Sequence, residues 1–376
     1  MNRDVAIIGG SVAGFYTACQ LAQTGLEARL FEASDTLDPS PRTLIVTSYL
    51  SNLLGSICEG SVVNKIHHFE LFADGRIAKI PLRRADLVID RSKLIRKLAE
   101  QAKASGASVV TGCRFVGMKP NGRRVSFGLS CNGGSELREE SADILIGADG
   151  ALSSVAQSAG WPQQPTVPLV QTVVALPDDM GSDTTRIWFV PRDTPYFYWL
   201  IPYSSTRGVL GLIGLDGGSA WRELENFLKT KALTPIEFQT ALIPRYARWV
   251  PLHCKIQQSD VYLVGDAAGH VKVTTVGGLV TGFRGALGVV DAITNGGSSP
   301  HFKALRLELG LHLLIRRALN HFREKDYAKL LGLLTPPVKR SLSLFNRDES
   351  TKLLTHVFLK QPRLLLLGLR SLLLGN

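Results

Sequence analysis

Short apolar runs ending in glycine turns set the frame of this chain. Val5-Ala6-Ile7-Ile8 runs into Gly9-Gly10, Ile144-Leu145-Ile146 into Gly147, and Val261-Tyr262-Leu263-Val264 into Gly265. Each run reads as a strand, and the first has the unbroken apolar character of a strand buried in a parallel sheet. A helical stretch from Phe15 to Thr24 stops at Gly25 and leads into a second strand, Ala28 to Phe31. His67 to Phe72 and Ile77 to Leu82, joined by Asp74-Gly75, predict a hairpin. Asp90-Arg91 starts a helix through Ala104, and Ser108 to Val110 is the next strand. From Thr166 the pattern turns to strands: Leu169–Leu176, Thr185–Val190, Tyr196–Ile201 and Val209–Leu215. These predict a second, antiparallel layer. Trp221 to Thr230 reads as a helix, and the small-residue and apolar stretch Leu279–Ile293 follows the last of the glycine turns.

The turns carry the chemistry. Gly9-Gly10-Ser11-Val12-Ala13-Gly14 stands between a strand and a helix, and Glu32 ends the following strand. Strand, glycine turn, helix, strand and acid is the context of a dinucleotide fingerprint. Glu32 lies 18 residues past Gly14, near the spacing of a ribose-binding acid. Ser11 occupies the middle glycine position, where a small side chain still allows close approach to a pyrophosphate. Gly147-Ala148-Asp149-Gly150 is a second strand-ending turn with an acid. Gly265-Asp266-Ala267-Ala268-Gly269 is a third, and it places a carboxylate at the carboxyl edge of a sheet, where ligands bind in open α/β folds.

These three motifs, in this order, resemble the flavoprotein superfamily of p-hydroxybenzoate hydroxylase and geranylgeranyl reductase. The resemblance spans roughly the whole chain. It implies FAD as cofactor and an α/β fold: a Rossmann-like FAD-binding domain, an antiparallel β-sheet substrate domain and a helical C-terminal region. The expected spans are 1–65, 90–165 and 251–300 for the FAD-binding domain, 66–89 and 166–250 for the substrate domain, and 301–376 for the helical region. Within the superfamily, Gly269 to Leu279 looks like the geranylgeranyl reductase version of the turn that faces the flavin. Phe197-Tyr198-Trp199-Leu200-Ile201-Pro202 is similar to that family's Tyr-x-Trp-x-Phe-Pro signature, and also to the Trp-x-Trp-x-Ile-Pro signature of flavin-dependent halogenases. The segment from Arg42 to Thr47 carries no cysteine where many archaeal geranylgeranyl reductases have one, so no catalytic cysteine carries over.

By resemblance, Gly9, Ser11, Ala13, Gly14 and Glu32 hold the ADP moiety, Arg42 and Arg91 lie against the cofactor, and the backbone of Phe115 meets the adenine. Asp266 contacts the ribityl chain, and Gly278 and Leu279 the isoalloxazine. A helix start there favours the negative charge of reduced flavin by roughly 0.3–1 kcal/mol. The implied activity is reduction of carbon–carbon double bonds in a prenyl chain by hydride from reduced flavin. NADPH or ferredoxin is the implied electron donor. Tyr198 and Trp199, with Phe197 and Ile201, are candidates for the substrate wall, and Tyr198, His270 and Lys272 for the proton source. An aromatic or quinone monooxygenase uses the same motifs and stays open as an alternative. A halogenase stays open too, although no catalytic lysine can be placed.

Composition adds a tail. Residues 301–376 hold fourteen Lys and Arg against five Asp and Glu, so +9 of the net +11 lies there. Leu307, Leu311, Leu314, Ala318 and Phe322 share one predicted helical face, with Arg306, Arg316, Asn320 and Arg323 on the other. Lys360, Arg363 and Arg370 interrupt leucine runs further on. The pattern suits helices lying on an anionic membrane surface, and equally a cap that buries its leucines. Few aromatics interleave the basic residues, which argues against nucleic acid. Five cysteines, odd in number and without metal-ligand spacing, suggest reduced thiols and a cytoplasmic protein, peripheral at the membrane if the tail docks.

Overall fold

The structure is a computed structural model that describes residues 3–39, 42–296 and 299–374. The outer ends of the expected spans, and residues 40–41 and 297–298, lie outside it. The three glycine-ended runs become neighbours in one six-stranded sheet. Its order is His253–Ile256, Ser259–Leu263, Ile144–Gly147, Asp4–Ile8, Glu27–Phe31 and Ser108–Val110. All pairs are parallel except the first. Val5, Ala6 and Ile7 are fully buried at its centre, as an uninterrupted apolar strand requires. Parallel register aligns the carboxyl ends of these strands, so all three glycine turns open on one edge. The helices Val12–Gln23 and Leu279–Asn295 pack together over the sheet, with Tyr16 edge-on to Phe283 at 4.7 Å.

The second sheet has eight strands, in the order Glu237–Pro244, Thr166–Ala175, Arg207–Ile213, Tyr198–Pro202, Thr184–Trp188, Val62–Ala73, Arg76–Asp90 and Thr43–Val46. The expected antiparallel layer contains one parallel pair, Thr184–Trp188 against Val62–Ala73. The hairpin is longer than its apolar alternation suggested, because Arg76–Asp90 continues past the bulge to pair with Thr43–Val46. A third sheet, Cys113–Asn121, Arg124–Cys131 and Glu136–Ala142, was not anticipated, although Val125, Phe127, Leu129 and Cys131 alternate with polar or small residues along its central strand. Its register sets Cys113 opposite Cys131, and the two form a disulfide. The expectation of reduced thiols therefore fails for this pair, since cross-strand register is invisible in a cysteine count.

Five helices follow among the described residues: Pro300–Leu319, Glu324–Gly332, Pro336–Leu344, Ser350–Lys360 and Pro362–Leu374. Ala318 and Phe322 of the expected face are buried, but along most of its length the first of these helices turns a different face inward from the one its leucines suggested. Leu305, Glu308, Leu309, His312 and Arg316 are buried, while Leu307 and Leu314 are 74% and 50% exposed. Polar pairing decides the rotation: Glu308 binds Arg284, and His312 meets Thr274 at 2.6 Å. Arg316, expected on the solvated face, lies over Tyr196 at 4.9 Å and donates to the Pro195 carbonyl at 2.7 Å. The last helix is the opposite case. Among its described side chains only Leu367 is buried, while Leu365, Leu366, Leu369 and Leu373 are exposed. No helix among the described residues is long and apolar enough to cross a membrane.

Candidate functional site

The first turn is built for close backbone approach. A methyl group on Gly14 would stand 2.2 Å from the Gly9 carbonyl, and one on Gly9, at φ +108°, 2.6 Å from that of Ala148. Only glycine fits either position. Ser11 caps the helix Val12–Gln23 by accepting the Gly14 amide at 3.1 Å. That hydrogen bond gives a positive reason for serine at the middle glycine position. Glu32 accepts the amides of Gly10 at 2.5 Å and Ser34 at 2.8 Å, so its carboxylate ties the first turn to the second strand's end. The Cys113 amide donates to the Glu32 carbonyl at 2.9 Å, which brings the strand bearing Phe115 to this edge. The Phe115 side chain itself points into the core beneath.

Asp149 staples the second turn. It accepts the Ser153 hydroxyl at 2.5 Å and the Val155 amide at 3.1 Å, and Ala148 packs between the first and second turns. Burial raises the Asp149 carboxyl above its ordinary range. In the third turn Gly265, at φ +65°, lies against Ala13, where a methyl group would come within 2.8 Å. The Asp266 carboxylate points toward Gly278, at the start of the helix Leu279–Asn295.

Arg42 and Arg91 converge on Asp266. Burial pushes the Arg91 guanidinium down to about 10, and the neighbouring Arg42 adds to the shift. Burial lowers Arg42 as well. Burial raises the Asp266 carboxyl against the pull of both arginines. Two half-buried cations face one carboxylate, and Arg42 Nε has no hydrogen-bond partner among the described residues. The place wants an anion. A pyrophosphate between the first helix's amino terminus and these guanidinium groups would meet that need.

A cavity of about 450 Å³ opens beside this pair. Ser11, Ala13, Arg42, Arg91, Asp266, Gly278, Leu279 and Trp199 line it; Gly9, Gly14, Glu32 and Phe115 do not. Tyr198 is also absent, and this corrects its place as a wall candidate. Strand alternation turns Phe197, Trp199 and Ile201 into the cavity and Tyr198 to the opposite face. There it stacks on Phe227 at 3.9 Å and donates to Asp193 at 3.0 Å, and burial raises its pKa. His270 is fully buried outside the lining, and burial drops its pKa to about 3, so it stays neutral. Lys272 does line the cavity, in a buried ion pair with Asp348. Val276, a β-branched residue at φ +53°, shares the wall in a conformation that side chains of its type rarely adopt. Asp348, Asp86 and Arg347 also line it, and none was visible as a site residue. No local motif surrounds them.

A parallel sheet, three glycine turns on one edge and two half-buried arginines beside an apolar chamber define a flavin-dependent oxidoreductase. The chain belongs to the FAD binding domain family, which matches residues 2–294. It is similar to geranylgeranyl diphosphate reductase of Rhodobacter capsulatus, with 26% identity over 78% of this chain and 75% of the relative. It is also similar to digeranylgeranylglycerophospholipid reductase 2 of Methanothermobacter thermautotrophicus, with 26% identity over 74% of each. Its fold matches a geranylgeranyl bacteriochlorophyll reductase-like protein from Thermoplasma acidophilum, with a TM-score of 0.78 and 18% identity over 96% of this chain and 97% of that one. The protein is an FAD-dependent oxidoreductase, similar over most of its length to geranylgeranyl reductases.

Proposed function

We propose that the enzyme reduces carbon–carbon double bonds of a geranylgeranyl-type prenyl chain. The apolar character of the cavity carries this reading. Leu71, Ile80, Leu169, Phe197, Trp199 and Ile201 form walls suited to a hydrocarbon. The same space reaches Gly277, Gly278 and Leu279, which by resemblance face the flavin ring. Gly9, Ser11, Ala13, Gly14 and Glu32 would hold the ADP part, and Arg42, Arg91 and Asp266 the pyrophosphate and ribityl region. Bound there, FAD supplies hydride transfer. The protein excludes water from the chain and positions it.

Substrate supply fits the tail. Leu359, Leu366 and Leu373 are 76%, 62% and 77% exposed on the last two helices, beside exposed Lys360, Arg363 and Arg370. Basic residues near an anionic bilayer are worth about 1 kcal/mol each. A surface-docked enzyme would take its lipid substrate from the bilayer, with a soluble donor such as NADPH or ferredoxin reducing the flavin. The test is anaerobic mixing of the dithionite-reduced enzyme with geranylgeranyl diphosphate. Reoxidation of the flavin together with a dihydro product supports the reductase. Reoxidation only after oxygen is admitted supports the monooxygenase or halogenase reading instead.

A further inference from the structure

Saturating an alkene takes two hydrogens and two electrons, and hydride accounts for one hydrogen and both electrons. The second hydrogen must arrive as a proton. Of the three side chains considered for that role, Tyr198 faces the other side of its sheet and His270 lies outside the lining. Lys272 remains. Its amide donates to the Gly277 carbonyl at 3.1 Å and its carbonyl accepts the Val276 amide at 2.8 Å, which closes a tight loop. The side chain runs back along that loop, so that a methyl group on Gly277 would lie 3.9 Å from Lys272 Cε. The side chain thereby packs beside Gly277, just before the helix Leu279–Asn295.

Its partner comes from far along the chain. Asp348 lies between the helices Pro336–Leu344 and Ser350–Lys360, beyond the matched family span. Its carboxylate binds Lys272 Nζ and accepts the Thr47 hydroxyl at 2.5 Å, while Arg284 donates to its backbone carbonyl at 3.0 Å. Burial alone would raise this carboxyl, but Lys272 and Thr47 outweigh burial and hold it below its ordinary range. The aspartate therefore stays ionised beside the lysine. Arg347 with Asp86, and Arg284 with Glu308, surround the pair.

We propose that Lys272 is the proton donor of the reduction and Asp348 its positioning residue; this rests on the reductase reading. The π bond is consumed as one carbon takes hydride and its neighbour takes a proton from Nζ. The lysine is left neutral and recovers a proton from solvent.

The test uses Lys272→Arg, which keeps the charge and the ion pair but holds its proton too tightly to donate. The double substitution Lys272→Met with Asp348→Leu removes the pair without stranding a buried charge. Both should bind FAD and accept electrons from dithionite as the parent does. Anaerobic reoxidation by geranylgeranyl diphosphate should slow by about 100-fold or more in both. A Lys272→Arg enzyme reoxidised at the parent's rate overturns the proposal and leaves the reductase reading intact. A parent that geranylgeranyl diphosphate does not reoxidise defeats the reductase reading itself. A second readout needs no turnover: in oxidised, FAD-loaded protein carrying isotope-labelled lysine, the Nζ magnetic resonance signal that the double variant lacks should shift when geranylgeranyl diphosphate is added. A signal that the prenyl compound leaves unmoved shows a lysine that does not meet the substrate and overturns the proposal.

Discussion

His270 should make the cofactor site sensitive to mild acid. Both ring nitrogens are buried without hydrogen-bond partners among the described residues, and burial holds the folded pKa at about 3. In the unfolded chain the same imidazole titrates near 6.5. Between these values the unfolded state binds one more proton than the folded state. Stability is therefore full above pH ~6.5 and falls as pH drops through the window. At pH 5 the loss is about 2 kcal/mol, and any folded value below about 4 gives the same figure. The loss falls on the site itself. The His270 amide donates to the Gly265 carbonyl at 3.0 Å, and its own carbonyl accepts the Thr281 hydroxyl, which ties the Asp266 turn to the following helix. The assay is urea unfolding at pH 7.5 and 5.0, in saturating FAD, for the parent and His270→Leu. Packing changes in the variant act at both pH values and cancel, as do the carboxylates common to both proteins. The pH-linked loss should shrink by about 2 kcal/mol in the variant. An equal loss in the two proteins refutes the reasoning.

The other predictions are shorter. His312, buried on the helix Pro300–Leu319 with a pKa of about 3, should add a further acid-linked loss of about 2 kcal/mol at pH 5, read by the same comparison on His312→Leu. Gly14→Val should drive a side chain into the Gly9 carbonyl, cost about 1–3 kcal/mol and give protein with little bound flavin by absorbance. Asp266→Ala should purify largely colourless, since the two arginines then face each other without their carboxylate; full flavin content would count against the site. Glu32→Ala should weaken FAD by about 1.5–3 kcal/mol in a titration, because both the Gly10 amide clamp and the ribose acceptor are lost. Changing Arg363 and Arg370 to Glu should weaken co-sedimentation with anionic vesicles at least tenfold, since each basic residue contributes about 1 kcal/mol. Unaltered binding, or none in the parent, makes the tail a structural cap.

The cofactor half of the protein was legible because its determinants are local. A strand, a glycine turn and a helix start are contiguous in sequence, and a backbone that must pass within van der Waals reach of another admits only glycine at Gly9 and Gly14. Parallel pairing then brings three such turns to one edge whatever lies between them. The substrate half was legible only as alternation. Period two shows that Phe197, Trp199 and Ile201 share a face, but which face meets the cavity depends on the helix Gly217–Thr230, whose Phe227 claims Tyr198. The helix Pro300–Leu319 offered two stripes, and its leucines suggested one. The structure buries a face between them, because the partners Arg284, Thr274 and Tyr196 favour Glu308, His312 and Arg316, and a satisfied polar contact outweighs an exposed leucine. Cys113 meets Cys131 through strand register, and Asp348 reaches Lys272 across 76 residues through the packing of the C-terminal helices. Sequence alone determined the fold class and the cofactor motifs; contacts between segments distant in the chain decided what surrounds the cavity.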